Sequence, residues 1–589
     1  MTKHPMNRLL SLVLAAVMVL GLFPAVSAAP SNVSWKQSRV DVSWDKTDRL
    51  VGEELNTMDV HKPTDMVRVS ILLEDAPTLK MGYSTMGIGA NAAARAYDRE
   101  LRKVQDTMAA AISAQALDGK ALDVVWNLTL AANLISANVP YGKIDAIKAV
   151  EGVRDVVLEC RYEAQIAASP EMYSSAGMVG SPTVWQTGLT GAGTRVAIVD
   201  TGTDTDHQSF DNGAYLYALA ENATAKGMSV EDYTASLDLL DTEEIADVLE
   251  NLNAFERLGV ENASDYYLNE KLPFGANYVD YDLNITHDYD AQGSHGSHVA
   301  GIAAANRFVQ ENGAYVSARE AVFMNGVAPD AQIITLKVFG SAEGPFDSDY
   351  FAAVEDAIWL GCDSVNLSLG SGSPGYSRST RFQELLDFLA TTDTVVVMSA
   401  GNSGHWAEQT ASGYLYNDGV SFQTGGEPDT YTNTLSVASV DNDGTVGKYI
   451  DVAGKMIVYT ETEYRNRPIA TLDTSADGSG TEYDYIFIDG LGKTEDYAGI
   501  DLTGKVVFCH RGEISFYEKA DNAAALGAAA IVVCNNVEEP FGMDLTDYSH
   551  TAPCVSILMS DGEAIRTASA EQTTADGNVY FIETHGRFL

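Results

Sequence analysis

Basic residues are scarce in this sequence. Among 589 residues, 37 Lys and Arg stand against 82 Asp and Glu, a net charge of −45. No basic block interrupts the acidity. A surface of that sign is repelled by phosphate backbones and by anionic lipid, which argues against a nucleic-acid partner and fits solubility outside a cell. Cysteine is nearly as sparse. The five cysteines, Cys160, Cys362, Cys509, Cys534 and Cys554, are odd in number and far apart. That excludes a disulfide scaffold and the paired spacing of a zinc module, and leaves small buried hydrophobes as their ordinary role. Export with so little disulfide capacity suits a bacterial source. Long apolar runs are absent after residue 23, so no later segment predicts a membrane span.

The N-terminus is the exception. Lys3 and Arg8 precede the apolar run Leu9 to Phe23, and the small residues of Val26-Ser27-Ala28 suit cleavage after Ala28. The run is shorter than the roughly 20 residues a spanning helix needs, and Pro24 follows it. Residues 1–28 are therefore expected to be a signal peptide.

A hydrophobic fraction of 46% supports a sizeable core, and the length calls for several domains. Three regions differ in texture. Residues 66–165 read strand, helix, strand, helix, strand: Val67 to Leu73, Ala92 to Ile112, an alternating segment Leu128 to Val139, Ile144 to Val150, and Val153 to Leu158. This predicts a small α+β sandwich. Residues 181–450 carry short, fully apolar strands separated by helices, at Arg195 to Asp200, Ile333 to Val338, Ser364 to Ser368 and Thr394 to Ser399. That is the signature of a parallel sheet covered on both faces, an α/β fold. An acidic, helical stretch at about 214–275 interrupts the rhythm and reads as a surface insertion. Residues 452–589 are expected to be β-rich, with a strand–helix–strand core from Lys505 to Cys534.

Three short segments carry chemistry. Asp200 ends an apolar strand before Thr201-Gly202, and open α/β sheets place their sites at the carboxyl ends of strands. Ser294-His295-Gly296-Ser297-His298-Val299-Ala300-Gly301 opens a small-residue helix, with Ser294 placed to cap it. A histidine held there by Asp200 through one ring nitrogen can take a proton with the other. His295 and His298 are three apart without the glutamate of a metalloprotease helix, which counts against zinc; His298 has a structural role in this reading. Ser399-Ala400-Gly401-Asn402-Ser403-Gly404 follows the fourth strand, and an amide there can face a developing oxyanion.

Asp-Thr-Gly, His-Gly-Ser-His-Val-Ala-Gly and Ser-Ala-Gly-Asn, in that order, resemble the subtilisin-like serine proteases over about Ser181 to Asn442. In subtilisin itself the triad order Asp, His, Ser and the oxyanion Asn are established. The flanks agree: Gly326-Val-Ala-Pro precedes the second strand. The resemblance implies that Asp200, His295 and Asn402 are catalytic. It implies that Ser368, Leu369 and Gly370 on one side and Gly344 on the other bind substrate backbone. Residues 66–165 resemble the inhibitory propeptide of such precursors, which would make the chain's own propeptide an intramolecular partner beside a protein or peptide substrate. Residues 452–589 resemble a protease-associated domain inserted in the catalytic domain, through Gly504-Lys-Val-Val, Arg511-Gly512, Phe516, Lys519 and Gly527-Ala528. That arrangement, and Leu272 to Val279, resemble the large lactocepin-type cell-envelope proteinases. Secretion follows, with cell-wall attachment left to a further C-terminal segment. Calcium is implied by many relatives, although no compact ligand loop stands out.

One motif is missing. The family places its nucleophile in a Gly-Thr-Ser-Met-Ala type segment, and none occurs. Ser371 and Ser373 belong to the substrate-strand loop, and Ser403 adjoins the oxyanion residue. The expectation is a sequence cut short before its serine, inactive by itself; the alternative is a non-catalytic protein that binds peptides.

Overall fold

The computed structural model describes residues 61–588, apart from 160, 163–171, 288–292, 342–343, 371–379, 402–434, 441, 443–448, 453–454, 462–467, 475–479, 539 and 575–578. The expected signal peptide lies outside the described residues.

Strand β1 (Met66–Leu73) is paired antiparallel with both β3 (Leu134–Pro140) and β4 (Val153–Leu158), and β2 (Asp123–Leu128) with β3, giving the order β2-β3-β1-β4. Helices α1 (Ala92–Gln115) and α2 (Ile144–Lys148) accompany the sheet. Val69, Ile71, Ile135, Ala137 and Val139 are fully buried with Ile112 of α1. The alternating stretch expected from Leu128 to Val139 is not one strand: β2 ends at Leu128 and β3 starts at Leu134. The reason is a tertiary partner. Glu355 accepts hydrogen bonds from the backbone N–H groups of Thr129 (3.3 Å), Ala131 (2.7 Å) and Ala132 (3.1 Å), so these donors leave the ladder and the chain turns.

The second unit is a six-stranded parallel sheet. Its strands are β5 (Arg195–Asp200), β6 (Phe274–Asn277), β7 (Gln332–Lys337), β8 (Ser364–Leu367), β9 (Val395–Ser399) and β10 (Leu435–Val437), in the order β10-β9-β8-β5-β7-β6. Ile198, Val199, Ile333, Ile334 and Leu336 are at most 1% exposed, as a sheet covered on both faces requires.

The acidic stretch between β5 and β6 is helical, with α3 (Asn212–Lys226), α4 (Val230–Ala235), α5 (Thr242–Val248), α6 (Asn253–Leu258) and α7 (Ala263–Tyr266). It is more than a surface addition. Tyr215, Leu219, Leu252, Ala254 and Tyr266 are fully buried, Tyr266 stacks on Phe274, and the segment ends in edge strand β6. Each such large apolar side chain contributes about 1.5–3 kcal/mol.

Helix α8 (His295–Ala304) follows β6, and α9 (Asp347–Trp359) follows β7. All thirteen residues of α9 are buried. One side faces β2, where Trp126 Nε1 donates to Asp349 at 2.7 Å, and the N-terminal unit is docked there.

In the third unit the strand Tyr449–Val452 pairs with the far end of the chain, Ile450 opposite Phe588. It is a nine-stranded sheet. Its centre is parallel: β11 (Thr481–Ile488), β12 (Val506–His510), β13 (Ala530–Cys534) and β14 (Cys554–Ile557), with α10 (Phe516–Ala525) between β12 and β13. Successive residues alternate between two cores: Val506 and Phe508 enter one, Val507 and Cys509 the other. The four described cysteines are free and buried.

Candidate active site

The carboxyl ends of β5, β7, β8 and β9 lie in register. Asp200 is opposite Lys337, Val199 opposite Leu367, and Leu367 opposite Met398. This brings Asp200 level with the residues that follow β8 and with Ser399.

Asp200 is 1% exposed. Its Oδ1 accepts from Thr201 N–H at 2.7 Å and from His295 Nδ1 at 2.7 Å. The aspartate thus holds the imidazole by one nitrogen and leaves Nε2 to work. Burial alone pulls the His295 imidazolium down. The hydrogen bond and negative charge of Asp200 outweigh it, so the residue titrates above its ordinary value.

Helix α8 begins where Ser294 occupies the capping position, yet the Ser294 side chain makes no capping bond. Thr201 supplies one instead. Its Oγ1 accepts from Gly296 N–H at 2.8 Å and donates to Gly293 O at 3.1 Å, tying the first turn of α8 to the end of β5. Ser297 adds a second tie, accepting from Asp204 N–H at 2.7 Å. The approach is close: a Cβ on Gly296 would lie 2.2 Å from Gly202 O and 3.1 Å from Asp200 Cβ. Gly202 has φ +109°, a conformation that excludes other residues. Asp-Thr-Gly and His-Gly-Ser are thus one interlocked joint. The Thr201 and Ser297 ties were not foreseen, although both residues stand inside the quoted motifs.

The remaining expected residues separate. Ser368, Leu369 and Gly370 continue from β8; Leu369 is buried, its carbonyl accepts from Ser399 Oγ at 3.5 Å, and Ser368 Oγ accepts from Asn366 Nδ2 at 2.8 Å. Gly344 lies before α9 and meets the N-terminal unit: Tyr162 N–H donates to Pro345 O at 2.9 Å, and Arg161 bridges Phe346 antiparallel. A Cβ on Gly344 would fall 1.9 Å from Tyr162 O. Asn402, Ser371, Ser373 and Ser403 lie outside the described residues. Among the described residues no group of three or more His, Cys, Asp or Glu could hold a metal ion. No described helix is long and apolar enough to cross a membrane.

Buried Asp200 orients the His295 imidazole at the carboxyl ends of a parallel sheet, an arrangement in which the free ring nitrogen can exchange a proton. The profile of the Subtilase family matches residues 191–574, more than half of the sequence, and the chain belongs to that family. It is 27% identical over 458 residues to the minor extracellular protease Vpr of Bacillus subtilis, covering 74% of this chain and 44% of that protein. It is 28% identical over 420 residues to the PI-type proteinase of Lactococcus lactis subsp. cremoris, covering 69% and 19%. It is 24% identical over 402 residues to the C5a peptidase of Streptococcus pyogenes, covering 67% and 30%. The chain spans less than half the length of these relatives.

Proposed function

We propose that the chain is the front part of a secreted serine endopeptidase precursor of the lactocepin type, which hydrolyses peptide bonds of proteins by acyl transfer. His295 takes the proton of a serine that these 589 residues do not supply, Asp200 orients His295, and Asn402 donates to the oxyanion. The observation that carries the reading is the 2.7 Å bond between His295 Nδ1 and buried Asp200. A peptide-binding protein has no need of a poised base.

Residues 66–165 act as an inhibitory propeptide. The pairing of Arg161 and Tyr162 with Pro345 and Phe346 supports this, because it lays backbone along the loop assigned to substrate. Ser368, Leu369 and Gly370 form the opposite substrate strand. Residues 452–589 are a protease-associated domain inserted before the serine; the family match continuing to residue 574 supports the insertion. Residues 1–28 direct export.

Loss of the nucleophile costs on the order of 10⁶ in turnover in subtilisin itself. The purified chain is therefore expected to cleave no casein and to take no fluorophosphonate label. Labelling or cleavage that disappears in His295→Ala would overturn the assignment of the serine. The absence of a Gly-Thr-Ser segment favours a second reading, a peptide-binding protein without catalysis. Translation of the frame beyond Leu589 separates the two. A Gly-Thr-Ser segment there, with casein hydrolysis lost in His295→Ala, supports the protease; no such segment supports the binder.

A further inference from the structure

The helical segment between β5 and β6 makes a second contact with the N-terminal unit, away from the catalytic groove. Arg95, Arg99 and Arg102 are spaced to share one face of α1. Arg102 is 9% exposed. Its Nη2 donates to Asn251 O at 2.8 Å and to Asn253 Oδ1 at 3.1 Å, its Nη1 donates to Glu256 Oε2, and its Nε reaches Asp98 Oδ2 at 3.4 Å. Asn251 is fully buried and answers in the other direction. Its Nδ2 donates to Arg95 O at 3.0 Å and Asp98 Oδ2 at 2.9 Å, while its Oδ1 accepts from Arg99 Nη1 at 3.2 Å. Arg95 Nη1 donates to Asp247 O, and the second oxygen of Glu256 accepts from Asn127 Nδ2 at 2.8 Å.

The seam has the anatomy of a binding interface. A crevice of about 570 Å³ opens beside Arg95, Arg99 and Glu250, whereas Arg102 is 9% exposed. A guanidinium taken out of water is tolerated only where carbonyls and carboxylates meet its donors, and removing one partner strands the other. Desolvated arginines are enriched among the few residues that dominate interface energetics.

We propose that residues 242–258 are a latch for the arginine face of α1, and that this latch, more than the single strand at Gly344, keeps the N-terminal unit in place after the 163–171 connection is cut. The inference rests on the reading of residues 66–165 as a propeptide. It concerns a different surface from the one that blocks the groove.

The test uses the full 589-residue chain with a site for a sequence-specific protease placed within 163–171. After cutting, the N-terminal fragment is followed by size exclusion and by its dissociation rate on dilution. The unsubstituted chain should retain the fragment. Arg102→Met and Glu256→Gln should each speed release by ~100-fold, and the double variant should be little worse than Arg102→Met alone, as for partners in one pair. Lys103→Ala, an exposed position on the same helix, should change nothing. If both single variants fold and release at the unsubstituted rate, the latch is refuted. If Arg102→Met fails to fold, Glu256→Gln alone decides. If the unsubstituted fragment leaves as soon as it is cut, the latch is refuted as well; if it stays and the cut chain binds a casein peptide equally well with the fragment bound and without it, the propeptide reading fails instead.

Discussion

At the scale of residues, the joint between β5 and α8 turns on groups too small to notice. Asp200 and His295 could be read from the sequence because their neighbours are small and stand in a fixed order. Thr201 could not, because a hydroxyl does not announce which N–H it will meet. The geometry makes two predictions. His295 titrates above its ordinary value because Asp200 more than offsets burial. In Asp200→Asn the charge is gone and burial remains, so the histidine should titrate below its value in the unsubstituted chain, as read from ring-proton shifts in NMR. An unchanged titration would separate the two residues. The second concerns Gly296, where a methyl group would collide with Gly202 O. Gly296→Ala should lower stability by about 1–3 kcal/mol, seen as a fall in Tm, and should weaken the coupling of His295 to Asp200.

At the scale of elements, α9 shows where composition misleads. The acidity of the chain suggested a solvated surface. Yet Asp347, Asp349, Glu355 and Asp356 of this helix are all at most 2% exposed. Besides local bonds within the helix's first turn, they have partners more than 60 residues away in sequence: Tyr162 for Asp347, Trp126 for Asp349, the Thr129–Ala132 turn for Glu355, and Asn253, Ala254 and Tyr278 for Asp356. No local pattern reveals such partners, and the misplaced start of β3 has the same cause. Burial pushes both Glu355 and Asp356 up to about 7, against hydrogen bonds that favour the anions. With the N-terminal unit gone, Glu355 loses that burial and returns toward the ordinary carboxylate range. Docking therefore takes up a proton. Its contribution is fully present below the ordinary value and is lost as pH rises through about 7. The cut chain should release its N-terminal fragment faster at about pH 8 than at about pH 5.5, and Glu355→Gln should flatten the dependence. A hold that tightens with rising pH would contradict this origin.

At the scale of the whole molecule, the parallel sheet was legible because its strands are apolar throughout. The nine-stranded sheet was less so: its first and last strands pair across more than 130 residues, and that closure leaves no local trace. Its two cores draw only on residues 450–565. This unit should therefore unfold as its own transition, visible in calorimetry as a second peak and in hydrogen exchange as a separate group of amides. One transition reported alike by every probe would show the units to be coupled.

The seam at Trp126 has an optical consequence. The indole is 2% exposed, bonded to Asp349 and flanked by Tyr278 and Tyr281 at centroid distances of 5.8 and 5.7 Å. All three belong to the part that stays behind when the N-terminal unit departs. In the proposed release Trp126 would leave with the unit and enter water, and its emission should shift to the red at that moment. On the proposed reading, the protein carries a native fluorophore that would report its own unmasking, with no dye and no substrate.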